Sequence, residues 1–311
     1  MKRVVAFIIF IVGVFQSFGQ QEAAFSHYSF NTLGVNAAYA GSRNALTVTG
    51  LHRSQWVSFP GAPQTQTITL HTPLFKDNLG FGLSMLNDKI GPTQTSGIFI
   101  DVAYRMRLGY KGKLSFGLKG GVNLRKVDLT EITTIQEDDP NFLSGISSQA
   151  LPNFGFGMYY QLPKFYLGLS TPKLLQNTFL TDPENISPEL GKENIHGYLI
   201  VGGVVDVSKA NGIQLKPSAL VKYTSGAPIQ VDLTTLFYYN EFLWAGPMFR
   251  TGDAIGVLAG VNISEQFALG YAFDWSYANT TGRYNNGSHE LMLRYDFIFS
   301  RQSKIESPRH F

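Results

Sequence analysis

From Ala45 to Ser300 the chain is a succession of period-two segments whose connections alternate between long and short. The segments fall at about 45–53, 64–73, 79–88, 95–108, 113–124, 153–162, 164–171, 197–208, 213–223, 229–239, 242–250, 254–263, 266–276 and 288–300, some fourteen strands in all. In 98–108 one parity reads Ile98, Ile100, Val102, Tyr104, Met106, Leu108 and the other Phe99, Asp101, Ala103, Arg105, Arg107. The last segment sets Leu291, Leu293, Tyr295, Phe297 and Phe299 against Glu290, Met292, Arg294, Asp296 and Ile298. Successive strand residues point to opposite faces, so each segment is greasy on one side and polar or small on the other. A strand of a soluble sandwich can share that pattern; the connections discriminate. The odd-numbered ones are Ser54–Pro63, Lys89–Gln94, Arg125–Pro152, Pro172–His196, Thr224–Pro228, Thr251–Asp253 and Tyr277–Gly287. The even-numbered ones are Leu74–Asn78, Gly109–Gly112, Pro163, Lys209–Gly212, Asn240–Glu241 and Ser264–Glu265, all tight. Outer-membrane barrels have this asymmetry, with short periplasmic turns and longer outer loops. The expectation is an all-β transmembrane antiparallel β-barrel of about fourteen strands, with 288–300 closing it against 45–53.

The first residues agree with export. Lys2-Arg3, the apolar run from Val4 to Phe15, and Ser17-Phe18-Gly19 have the layout of a secretory signal peptide, with cleavage expected between Gly19 and Gln20. That apolar run is shorter than the ~20 residues of a spanning helix. No later stretch is apolar enough for a membrane helix, so any membrane residence must be as a closed barrel. The sequence has no cysteine, which removes disulfides, thiol nucleophiles and lipoprotein acylation. Setting aside Lys2 and Arg3, the 25 basic residues become 23 against 22 acidic, so total charge implies no nucleic-acid partner. With 24 Phe and 15 Tyr, aromatic girdles at the membrane boundary are amply supplied. The expected layout is a signal peptide (1–19), an N-terminal segment (20–44), the barrel (45–300) and a polar periplasmic tail (301–311).

A search for chemistry yields little. The histidines His27, His52, His71, His196, His289 and His310 have no histidine three or four residues away, as a metal site on one element would need. His289 and Glu290 are adjacent on a strand and therefore face opposite ways, as a rim pair rather than a dyad. The run Glu137-Asp138-Asp139 reads as a solvated acidic loop. Glycines such as Gly80, Gly82, Gly117 and Gly120 precede no helix, so they mark bends or close backbone approach rather than phosphate loops. Asp101, Arg105, Arg107, Lys119, Asp232, Asp274, Arg294 and Asp296 fall at the lumen parity. They would either line an aqueous channel or pair with one another around an internal plug, and pairing is favoured because residues 25–41 are apolar, aromatic and aperiodic and need a dry place. The expectation is a protein that is not an enzyme and needs no cofactor or metal.

Several stretches resemble the PorP/SprF family of type IX secretion system outer-membrane proteins. They are Phe25-Ser26-His27-Tyr28-Ser29-Phe30-Asn31-Thr32-Leu33 with Asn36-Ala37-Ala38-Tyr39-Ala40-Gly41, then Arg53-Ser54-Gln55-Trp56 with Gly61-Ala62-Pro63, and Asp88-Lys89-Ile90-Gly91-Pro92. Further matches are Lys216-Pro217-Ser218, Gly226 to Leu233, Gly270 to Asp274, and Gly287-Ser288-His289-Glu290. Thr32 and Ala37 stand where the family has proline, which frees φ at those two positions. The resemblance implies a non-enzymatic component of a protein secretion and gliding machine in the outer membrane of a Gram-negative bacterium. It would dock periplasmic and outer-membrane secretion components, and a secreted surface adhesin in one branch of the family. Phe25, Tyr28, Phe30, Asn31, Asn36, Tyr39, Arg53, Gln55 and Trp56 become the candidates for plugging or partner contact. An outer-membrane channel or hydrophobic-solute transporter is the alternative, because lumen charges and an irregular N-terminal segment occur there too.

Overall fold

The computed structural model describes residues 23–74, 78–128, 146–180, 189–277 and 285–298. The expected signal peptide, the acidic run 137–139, the loop around 182–188 and the tail after Ser300 lie outside them. The strands are β1 (Leu46–Ser54), β2 (Gln64–Leu74), β3 (Leu79–Ile90), β4 (Thr93–Leu108), β5 (Gly112–Asp128), β6 (Ile146–Leu162) and β7 (Phe165–Thr171). There follow β8 (Thr178–Leu180), β9 (Glu189–Lys192), β10 (His196–Gly203), β11 (Val205–Ser208), β12 (Ile213–Thr224) and β13 (Gln230–Tyr239). The last are β14 (Leu243–Arg250), β15 (Ala254–Asn262), β16 (Phe267–Ser276) and β17 (Ser288–Phe297). Each wall strand pairs antiparallel with its neighbours in sequence, and β17 pairs with β1 from Leu46↔Phe297 to Ser54↔His289. β10 and β11 are two stretches of one wall strand, broken at Val204, and both pair with β12. The result is a closed up-and-down barrel of fourteen wall strands, which leaves no edge for unwanted pairing.

Burial follows the sequence parity. Ile98 exposes 54 % and Tyr104 52 % of their surface while Asp101 and Ala103 between them expose none. Apolar side chains face outward because lipid surrounds the wall, and charges face inward. In two places the structure departs from the sequence-based boundaries. β5 and β6 run on as a paired ribbon through Asp128↔Ile146, so much of Arg125–Pro152 is strand rather than loop. Pro172–His196 contains the hairpin β8–β9, whose Phe179 ring lies 4.5 Å from the Arg125 guanidinium. Asn153 ties this region to the wall by accepting from Leu174 N and Leu175 N, both at 2.9 Å.

Residues 26–43 do not join the sheet. They run down the inside of the barrel from its loop end to its turn end, with one helical turn at Thr32–Val35 and a 3-10 turn at Ala37–Tyr39. Ser26 meets Glu290 and Asp274 near the loop-end limits of β17 and β16; Arg43 meets Asp296 near the other end of β17. The closing register makes a truncation prediction direct. Ending the chain before Tyr295 removes the residues opposite Leu46, Thr47 and Val48 and should abolish barrel assembly, whereas removing 301–311 should spare it. Gel mobility of heated and unheated outer-membrane material reads both outcomes.

Candidate functional site: the lumen and its N-terminal segment

A row of small residues explains how the chain fits inside its own barrel. Gly80, Ala103, Gly117 and Gly157 lie directly opposite one another across β3, β4, β5 and β6, all facing inward. The turn Ala37–Tyr39 rests on this shelf. A Cβ at Gly80 would collide with the Ala40 carbonyl, one at Gly117 with the backbone of Ala37 and Ala38, and one at Gly157 with the Asn36 side chain. At Gly80 and Gly117 glycine is needed because backbone meets backbone. Gly117→Val should push the turn off the shelf at a cost of about 1–3 kcal/mol or more. Limited proteolysis should then cut between 23 and 43 in the variant and not in the parent barrel.

Two apolar clusters are built on the segment. Tyr28, Leu33, Ala38, Tyr39 and Ala40 pack with Ala103, Tyr159, Tyr166, Tyr198, Ile200 and Leu220. On the other side Phe30 stacks on Trp244 at 4.8 Å and packs with Tyr238, Met248, Leu258 and Met292, with Phe25 against the same cluster. Polar groups are met one by one. The Asn36 side chain donates to the Met158 carbonyl at 2.9 Å and accepts from Ala38 N at 3.0 Å. Thr69 donates to the Asn31 side-chain oxygen at 2.7 Å, and Ser170 to the Val35 carbonyl at 2.8 Å. The Tyr28 hydroxyl lies 3.0 Å from Ser218 Oγ.

The densest contact is charged. Glu290, fully buried, accepts from Ser26 N and His27 N, each at 2.8 Å, and lies 2.8 Å from His27 Nδ1. Arg53 donates to Asp274 at 2.7 and 3.1 Å, to Glu290 at 3.2 Å and to Ser26 Oγ at 3.0 Å. Three wall strands and the segment thus share one buried cluster. Buried charges persist only when paired and hydrogen-bonded, and here the N-terminal segment supplies part of the pairing.

The remaining lumen charges also pair. Lys119 binds Asp101 at 2.8 Å; Lys222 and Arg250 hold Asp232 at 2.8 and 3.0 Å; Arg43 binds Asp296 at 3.0 Å. Arg105 donates to the Ala40 carbonyl at 3.1 Å, and Arg294 lies over the Phe30 ring at 5.5 Å. Arg107 departs from the expectation: it is exposed at the turn end of β4, because the strand there runs past the filled part of the lumen. Gln55 and Trp56 lie just beyond β1, where the Trp56 indole donates to Ser276 Oγ at 3.2 Å; they stand apart from the segment. His289 turns outward toward Tyr271 and Phe273 while Glu290 turns inward, so Glu290 belongs to the lumen cluster rather than to the rim. Sequence reasoning did not single out Glu290, His27, Ser26 or Arg43 as site residues. Among the described residues no group of three His, Asp or Glu side chains is placed to hold a metal. A polar cavity of about 180 Å³ remains at the turn end, lined in part by Arg43, Glu241, Asn262, Arg294 and Asp296.

A closed fourteen-strand wall with an apolar outside and paired charges inside defines an outer-membrane β-barrel. The fold is similar to that of the CymD monoaromatic hydrocarbon channel, with 12 % identity and a TM-score of 0.50 over 86 % of this chain and 92 % of that one. It is also similar to Omp33 of Acinetobacter baumannii (10 % identity, TM-score 0.48, 82 % of this chain, 100 % of that one). The toluene transporter TbuX of Ralstonia pickettii is a third relative in fold (9 %, 0.47, 85 % and 92 %). No individually curated protein matches the sequence. Residues 17–295 match the type IX secretion system membrane protein family PorP/SprF, and the chain belongs to that family.

Proposed function

We propose that this barrel serves type IX secretion as a closed docking component, neither an enzyme nor a conduit. The observation that carries the reading is the filled lumen: residues 26–43 form the centre of two apolar clusters and complete a buried ion cluster. An aqueous channel of this strand number would keep its inward charges wetted, whereas Asp101, Asp232, Asp274 and Asp296 are each spent on a buried cation. The outward aromatic and aliphatic belt anchors the barrel in outer-membrane lipid. Its short turns face periplasmic secretion components, and its longer loops, with the β5–β6 ribbon and the β8–β9 hairpin, are the surface offered to a secreted protein such as an adhesin. The N-terminal segment reaches its place after removal of a signal peptide ending near Gly19.

Co-purification from native outer membranes tests the reading. Tagged barrel should retrieve type IX components, and a deletion strain should lose secretion or gliding. Recovery of an intact barrel with none of them, from cells that secrete and glide normally without it, would sink the proposal. Solute uptake or steady single-channel current through the unaltered barrel would favour the channel reading instead.

A further inference from the structure

Among the described residues, the turns at the turn end of the barrel are electrically lopsided. Three consecutive turns, β4–β5, β6–β7 and β11–β12, bring Arg107, Lys111, Lys113, Lys164 and Lys209 to one half of the rim. Asp206 is the one carboxylate among them, and it is engaged by Lys164 with Lys209 at 4.0 Å. The next two turns, β13–β14 and β15–β16, carry Glu241 and Glu265 and no cation. Arg107 and Lys113 are register partners across the β4–β5 hairpin. Like charges directly opposite on an antiparallel pair repel. Between them Tyr110 projects with 97 % of its surface exposed. Tyr110 and Arg107 are of the types enriched at protein interfaces, and the four lysines around them supply a positive field that complements an acidic partner.

Lipid headgroups are a second source of negative charge, but the strand parity argues against them. Met106, Leu108 and Leu114 occupy the lipid-facing positions, and Arg107 and Lys113 alternate with them toward the barrel mouth. Headgroups ring the outside of a barrel; a protein can cover its mouth. We infer that this basic half-rim receives an acidic face of a periplasmic protein, with Tyr110 at the centre of the contact. The inference rests on the docking reading above and gives that reading a surface and a partner chemistry.

The test uses the full-length protein in its native membrane. Tagged parent barrel and the variant R107E/K111E/K113E are recovered at a series of salt concentrations, and type IX periplasmic components per barrel are counted by mass spectrometry. Recovery with the variant should fall about tenfold at low salt, and the salt dependence seen with the parent should flatten. Barrel integrity is read from heat-dependent gel mobility; if the reversal fails to assemble, R107Q/K113Q is measured by the same criterion. Equal recovery by parent and variant overturns the rim inference. So does unchanged protein recovery with a loss of co-purified anionic phospholipid, which would assign the rim to headgroups. Absence of any component from the parent material overturns the docking reading itself, an outcome distinct from both.

Discussion

Glu290→Ala should destabilise the barrel by about 3–5 kcal/mol, the usual result of removing one member of a buried charge cluster. The loss is large because one carboxylate serves four donors. Ser26 N, His27 N and the His27 ring each lose their acceptor, and Arg53 is left with Asp274 alone among the carboxylates. None of these groups reaches water, since Ser26, His27 and Arg53 expose 1 %, 0 % and 1 % of their surface. Denaturant unfolding of the barrel refolded in detergent measures the change. Adding Arg53→Met to Glu290→Ala should deepen the loss, because Asp274 would then be buried without the guanidinium that binds it at 2.7 and 3.1 Å. An unchanged midpoint for Glu290→Ala would show that the cluster contributes nothing to holding the segment.

Deleting residues 25–41 should turn a silent barrel into a conducting one. The segment occupies the core of both lumen clusters, and its loss empties the space over the Gly80–Gly157 shelf while leaving the fourteen-strand wall closed. Water would then reach Asp101, Lys119, Tyr159 and Trp244. Planar-bilayer recordings should show no steady current from the parent protein and discrete steps from the deletion. The deleted barrel should also unfold at lower denaturant, since Tyr28, Phe30, Leu33 and Tyr39 alone remove several fully buried side chains worth roughly 1.5–3 kcal/mol each.

The wall was nearly all legible in the sequence because alternation is a local signal. Each of the fourteen wall strands appears where the pattern put it, with ends shifted by a few residues. The exceptions have physical reasons. Arg125–Asp128 and Ile146–Pro152 extend a ribbon beyond the alternating stretch, where no bilayer imposes the apolar parity. β8 and β9 are three and four residues long, too short for periodicity to register. The lumen was legible only in part. Asp101, Lys119, Asp232 and Asp274 could be placed inside by parity, and the strand glycines marked a close approach. What approaches them could not be read, since Ala37-Ala38-Tyr39 has no pattern that points to Gly117. Glu290 shares its parity with Arg294 and Asp296, yet its partners Ser26 and His27 lie 264 and 263 residues away and no sequence rule connects them. Arg107 was misplaced because parity gives the direction of a side chain and not its depth.

Whether the lumen ever opens decides between a docking component and a conduit, and a covalent lock can decide it. The chain has no cysteine, so Asn31→Cys with Thr69→Cys introduces one unambiguous pair, at positions whose native side chains touch at 2.7 Å. Oxidation, or a short bifunctional thiol reagent, would tether the N-terminal segment to β2 in living cells. Secretion and gliding are then compared between tethered and untethered cells. A docking component should work equally well with the segment fixed. Secretion that stops on tethering and returns when the link is reduced would contradict it, and would make the lumen a path that the segment must leave.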